Sequence, residues 1–309
     1  MSFKILFMGT PDFAVPVLKS IAESNNKVLE VYTQPPKKKN RGQKINLSPI
    51  HNFSNQINIK VRHPEIFNEK KECEYIKNLN PDVVVVVAYG KILPAKLLSL
   101  PKIKFLNVHA SLLPKWRGAA PIQRAIMNLD SISGVSIMKI VPKLDAGPVL
   151  MKSEIKISKE TTQDELSKDM SKLGSKLILD SIELIKKGEE KFVIQNEKEA
   201  TYAKKISKSE AKISWNVQAK LVIAKINALN PNPGSWFELN GSRIKIIKAI
   251  EVKAKGSPGD ILNKDFTIAC SENAIRILEL KKEGKNTVTA SEYLKGNKLK
   301  VGSNILTNV

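Results

Sequence analysis

The chain has 309 residues, 42% of them hydrophobic, and 51 lysines and arginines against 30 aspartates and glutamates give a formal charge of +21. That length leaves room for about two domains, and the two cysteines, Cys73 and Cys270, can build neither a disulfide framework nor a cysteine zinc site. The longest wholly aliphatic run, residues 83–88, falls far short of the roughly 20 residues of a spanning helix, and the first residues lack a signal-peptide pattern. A cytoplasmic protein in a reducing compartment, away from membranes, is therefore expected.

Residues 3–8 form a compact apolar run that predicts a buried first strand ending at Gly9. Thr10 suits a helix cap, Pro11 a first helical position and Asp12 the positive end of the helix dipole, so a helix should follow, its early turns loosened by Pro16. Residues 28–33 read as a second strand, and the proline- and lysine-rich stretch 34–49 as a long exposed loop. Within it Lys37, Lys38, Lys39, Arg41 and Lys44 gather five positive charges in eight residues without an acid. A helix near 69–79 then leads to residues 83–88, a β-branched run typical of a strand buried on both faces. A short strand at 105–109, a turn at 111–114, a helix at 120–128 and a strand at 134–141 complete an alternation that predicts a doubly wound, Rossmann-like α/β domain.

A long helix from about residue 162 closes near Lys191. Beyond a polar crossing segment the character changes: a helix at 217–228, then short alternating strands at 235–239, 244–252, 260–263, 266–269 and 275–281 between turn signals, which suggest a small antiparallel barrel. The expected division is a catalytic domain over 1–189, a linker over 190–206 and a barrel domain over 207–309. Positive charge is as dense in the barrel region as elsewhere. Polyanion binding and a lysine-rich compositional bias account for it equally well.

A lone Gly9 is no dinucleotide fingerprint and no Walker motif occurs, so a nucleotide site is poorly supported. The informative stretch is Asn107 to Pro121. In a strand Asn107 and His109 share a face at the carboxyl end, where such sheets bind ligands. A carboxamide donor beside an imidazole suits acyl chemistry, one stabilising an oxyanion and the other moving protons. Asp145, just beyond the next strand, is the candidate partner carboxylate. A structural strand-end histidine and a turn aspartate before Gly147 remain open alternatives. With 45 lysines and only six arginines, Arg41, Arg117 and Arg124 stand out, because a guanidinium fork does what a lysine cannot; surface ion pairs are the plain alternative.

The segments Met8-Gly-Thr-Pro-Asp-Phe-Ala14, Val87-Ala-Tyr-Gly-Lys-Ile-Leu-Pro94, Asn107 to Ile122, Gly134-Val-Ser-Ile-Met138 with Leu144-Asp-Ala-Gly147, Ala200 to Ser207 and Asn230-Pro-Asn-Pro-Gly234 together resemble the methionyl-tRNA formyltransferase family. The resemblance covers nearly the whole chain. It implies formyl transfer from 10-formyltetrahydrofolate, a co-substrate, to the α-amino group of methionyl initiator tRNA for translation initiation, with no metal. It places Asn107, His109 and Asp145 on the catalytic trio and Ser111, Leu112, Leu113 and Pro114 on the folate signature, with Tyr89 and Gly90 beside it. It also implies that the loop centred on Arg41 meets the tRNA acceptor end, with Lys37, Lys38, Lys39 and Lys44 around it, and that the carboxyl-terminal domain is OB-like. The chain departs from the pattern in the loop, where Lys37 to Lys39 and Asn40 precede Arg41. A small-amine formyltransferase and a catalytically silent RNA-binding protein are the competing readings, and a monomer is expected.

Overall fold

The structure, a computed structural model, describes residues 2–39 and 44–307. The elements fall into two compact units. One takes in the chain up to Gly118 with Ser133–Lys156 and Ser167–Ala203; the other takes in Ala119–Ile132, Ile157–Leu166 and the chain from Lys204 onward.

The chain runs through β1 (Lys4–Gly9), a short 3-10 turn (Asp12–Ala14), α1 (Val15–Ala22) and β2 (Lys27–Tyr32) to the pair β3 (Lys37–Lys39) and β4 (Lys44–Asn46). Next come α2 (Pro49–Gln56), β5 (Val61–Arg62), α3 (Glu69–Leu79), β6 (Val83–Val87), α4 (Ala95–Leu98) and β7 (Lys104–His109). The two-residue β8 (Arg117–Gly118), α5 (Pro121–Met127), β9 (Ile132–Lys139), β10 (Val149–Lys156), α6 (Gln163–Lys187) and the two-residue β11 (Tyr202–Ala203) follow. Seven strands form one sheet in the order β10-β9-β7-β6-β1-β2-β5. From β7 to β5 all neighbours are parallel, and β9 joins β7 antiparallel, so the sheet is mixed. β6 is five valines, all buried, as a strand with both faces covered requires. On one of those faces α6 comes close: a Cβ on Gly174 would stand 2.8 Å from Val108 Cγ1.

Several local expectations change. Thr10 does not cap a helix; its hydroxyl donates to the Tyr89 carbonyl at 2.9 Å. Pro16 does not loosen α1, because it lies in the first turn, where no intrahelical donor is needed. The stretch 34–49 is not structureless: β3 and β4 pair antiparallel, satisfying backbone groups with no apolar pattern to announce it. α2 went unrecognised although Ser48 and Pro49 spell its start; Ser48 Oγ accepts from His51 N at 3.0 Å. β10 was also missed, since an edge strand exposes every second residue.

In the second unit α7 (Ala219–Leu229) accompanies β12 (Trp236–Leu239), β13 (Ser242–Val252), β14 (Thr267–Ala269), β15 (Ala274–Lys282), β16 (Thr287–Thr289) and α8 (Ala290–Gly296). The strands form an antiparallel sheet, order β12-β13-β15-β14 with β16 on β15, and register shifts along β13 curl it into a half-barrel. Residues 260–263 are not a strand. They make only isolated bridges, because Asp260 closes a turn by accepting from Ser257 N. A train of aromatic rings fills the curl: Trp215 edge-on to Phe237, Phe237 to Phe266, and Phe266 stacked on Tyr293 at 5.9 Å. Arg124 belongs to this unit's framework, its guanidinium bonded to the Lys204 carbonyl and paired with Glu210.

Candidate active site

Strand order places the site. β1 leads to β2 on one side and has β6 on the other, so connections reverse direction at β1, and the crevice at the carboxyl ends of β1 and β6 is where such sheets take ligands. The loops there are tied together. Thr10 Oγ1 and Gln34 Nε2 both donate to the Tyr89 carbonyl, at 2.9 and 3.1 Å. Ala88 and Gly90 flank Tyr89 with φ of 47° and 81°. The Tyr89 ring is buried in the core, and burial together with Glu72 pushes its phenol well above the ordinary range, so it stays neutral. What Tyr89 offers a ligand is backbone.

β7 brings Asn107 and His109 to the same edge. Asn107 pairs with Val86 on one side and Met138 on the other, and His109 with Ser136. Asn107 is half-buried, and among the described residues nothing hydrogen-bonds its carboxamide. His109 is 5% exposed. Its Nε2 lies 3.0 Å from the Trp116 carbonyl; a carbonyl only accepts, so this nitrogen carries the proton and Nδ1 presents a lone pair. Nδ1 in turn stands 3.7 Å from Asp145 Oδ2, which accepts from Gly118 N at 2.8 Å. The turn 116–118 thus grips the pair at both ends. Trp116 and Asp145 both sit in the left-handed region, at φ 59° and 45°, a conformation held only where surroundings insist on it.

The segment Ser111 to Pro114 is fixed from within. Ser111 is fully buried and its hydroxyl donates to the Lys115 carbonyl at 2.6 Å, while Ser136 Oγ donates to the Ser111 carbonyl and accepts from Leu113 N. Among the described residues the Ser111 hydroxyl bonds the Lys115 carbonyl and no base, so it is not arranged as a nucleophile. Leu113 packs with Met138 and Val149, and Leu112 lies over Gly134, where a Cβ would come within 2.6 Å of it.

A profile described as Formyl transferase matches residues 3–182, and one described as Formyl transferase, C-terminal domain, matches residues 205–298. The methionyl-tRNA formyltransferase of Pelagibacter ubique is 47% identical over the full length of both chains. That of Paramagnetospirillum magneticum is 40% identical over 97% of this chain and 99% of its own. The chain belongs to the methionyl-tRNA formyltransferase family. More distant structures share the fold: HypX from Aquifex aeolicus in complex with tetrahydrofolic acid (TM-score 0.68, 17% identity, 97% of this chain and 49% of that one). So does an N-formyltransferase from Helicobacter canadensis in complex with folinic acid and dTDP-3-aminofucose (TM-score 0.66, 20% identity, 90% of this chain and 99% of that one).

For this formyltransferase-family chain, Arg41 lies outside the described residues, while Lys37, Lys38, Lys39 and Lys44 lie on the strands of the β3–β4 hairpin. Four participants escaped sequence reasoning: the Trp116 carbonyl, the Gly118 amide, Gln195 and Glu197. Gln195 Nε2 donates to the carbonyls of Asp145 and Gly147 at 2.8 and 2.6 Å. Its Oε1 accepts from Nε and Nη2 of the fully buried Arg117 at 3.0 and 2.9 Å. The rest of the Arg117 fork meets Glu197, whose carboxyl Arg117 and then Lys143 hold down at about 2. The rarity of arginine pointed to Arg117; no sequence signal marked Gln195.

Proposed function

We propose that the protein transfers the formyl group of 10-formyltetrahydrofolate to the α-amino group of methionyl initiator tRNA, giving N-formylmethionyl-tRNA for translation initiation. The observation that carries this is full-length identity of 47% to a chain of that name, which the small-amine relatives, alike in fold alone, do not approach. In this reading the α/β part of the chain holds the folate and the aminoacyl end, and residues 207–309 contact tRNA. The protein acts as a cytoplasmic monomer, the tRNA itself supplying a large surface.

The residues fit a formyl donor: an unengaged carboxamide on Asn107 stands two positions from His109 on β7. Ser111 to Pro114 and the backbone of Tyr89 and Gly90 would hold the folate, which supplies a carbon bonded to a departing nitrogen. The incoming α-amino group titrates near about 7.7 to 8.0, so a usable neutral fraction exists at pH 7. Asn107 donates to the formyl oxygen as charge develops there. The amine attacks the formyl carbon and forms the new C–N bond, and the bond to the folate nitrogen breaks as the resulting tetrahedral species collapses. His109 Nδ1 takes the proton the amine loses and returns it to the departing nitrogen, and Asp145 stabilises the imidazolium in between. No covalent intermediate on the protein is required.

A single-turnover assay with methionylated initiator tRNA, methionylated elongator tRNA and methionine methyl ester tests the whole reading. Formylation of the initiator alone is expected. Formylation of all three would show a small-amine enzyme, and tRNA binding without product a catalytically silent RNA-binding protein.

A further inference from the structure

We propose that Gln195 is a positioning residue for the reaction, setting the distance between Asp145 and His109. The inference rests on the reading of that pair as the proton-handling groups. The loop between β9 and β10 that carries Asp145 is exposed at its tip, residues 142–144, with Leu144 60% accessible, and its internal bonds are few: Ala146 N to Lys143 O, and Lys139 N to Pro148 O. Such a loop does not by itself hold an aspartate at φ 45°. The Gln195 amide does, donating both hydrogens to carbonyls on either side of Ala146. Its orientation is unambiguous, because the other end faces a guanidinium that can only donate. Arg117 follows Trp116, whose carbonyl holds His109. One buried carboxamide therefore joins the turn that fixes His109 to the loop that carries Asp145.

The backbone around Gln195 is built for this. Val193 exchanges both hydrogen bonds with Val149 at 2.8 Å, just past the Asp145 loop. Further on, Thr201 accepts from Arg117 N through its carbonyl and from Trp116 N through its hydroxyl, both at 2.9 Å. The segment 193–201 is thus fastened to both loops. At 3.7 Å the His109–Asp145 gap is just beyond a hydrogen bond, and must close when Nδ1 is protonated, so small shifts of the loop matter.

The test compares Gln195→Glu, Asp145→Asn and the double variant in single-turnover formylation, with KM for each substrate and thermal unfolding. Glutamate keeps an acceptor for Arg117 but sets a carboxylate against the two loop carbonyls. Turnover should fall on the order of 10²-fold, as a misplacement of about 1 Å does, with KM little changed. The double variant should be no slower than Asp145→Asn alone. Losses that multiply in the double variant, or that fall on KM, would overturn the inference. Full activity of Asp145→Asn would sink the reading of the pair and the inference with it. A full-rate Gln195→Glu beside a crippled Asp145→Asn would sink the inference alone. Should Gln195→Glu fail to fold, Gln195→Met enters the same cycle, since it keeps the volume and the backbone fastening.

Discussion

Two side chains of the candidate site, Asn107 and Glu197, differ in how they are held, and their substitutions should differ accordingly. The Asn107 carboxamide makes no hydrogen bond among the described residues, so Asn107→Ala leaves nothing unpaired and should unfold at the wild-type temperature. Its turnover should nevertheless drop about 10² to 10³-fold while tRNA binding persists, as for loss of an oxyanion donor; near-normal turnover would refute its role. Glu197 behaves oppositely. Arg117 and Lys143 hold its carboxyl at about 2 against an ordinary 4.5, so its contribution is complete above pH 4.5 and disappears as pH falls towards 2. Amide exchange over residues 193–201 should rise in that window, and in Glu197→Gln it should already be raised at pH 7. Burial pushes the Cys270 thiol up to about 12 and raises that of Cys73; alkylating reagents should label neither in the native protein. Of the site's residues, Asn107, His109 and Asp145 were legible because their spacing and strand-end placement carry chemistry. Gln195 was not, because its role exists only where two loops meet it.

Among the elements, β7 and α6 meet at Val108. Val108 lies between Asn107 and His109 and turns to the opposite face, where Gly174 lets α6 approach. Gly174→Val would force side-chain atoms into that contact, an overpacking worth typically about 1 to 3 kcal/mol. Thermal unfolding should show the loss, and turnover should fall with it because the strand carrying both functional side chains must shift. A stable variant with normal turnover would show that α6 accommodates the change elsewhere. The strongest sequence signals for elements were unbroken apolarity, as in β6, and turn chemistry, as around α7. Strands with half their residues in water, such as β10, and strands of lysine, such as β3, carry no such signal.

Across the whole molecule the charge of +21 should appear in substrate binding rather than in the fold. Affinity for tRNA should fall steeply and linearly in a log–log plot against salt, whereas KM for the folate should change little; equal salt dependence would remove electrostatics as the source of tRNA affinity. Arg41→Lys should weaken formylation more than Lys38→Ala, because only the guanidinium offers a planar fork; equal losses would reduce the loop to a charged patch. By itself the sequence determined that the chain is a mixed α/β domain followed by a β-rich one, and which strand end carries an amide beside an imidazole, since periodicity and local turn chemistry act over a few residues. Tertiary structure alone decided that Trp116 O fixes the tautomer of His109, that Gly118 and Gln195 hold Asp145, and that Arg117 is buried rather than a surface ion pair. Those bonds, with the Arg117–Glu197 pair, join residues up to 80 positions apart, and a hydrogen-bond partner at such separation is chosen by the packing of the folded chain, which no local pattern encodes.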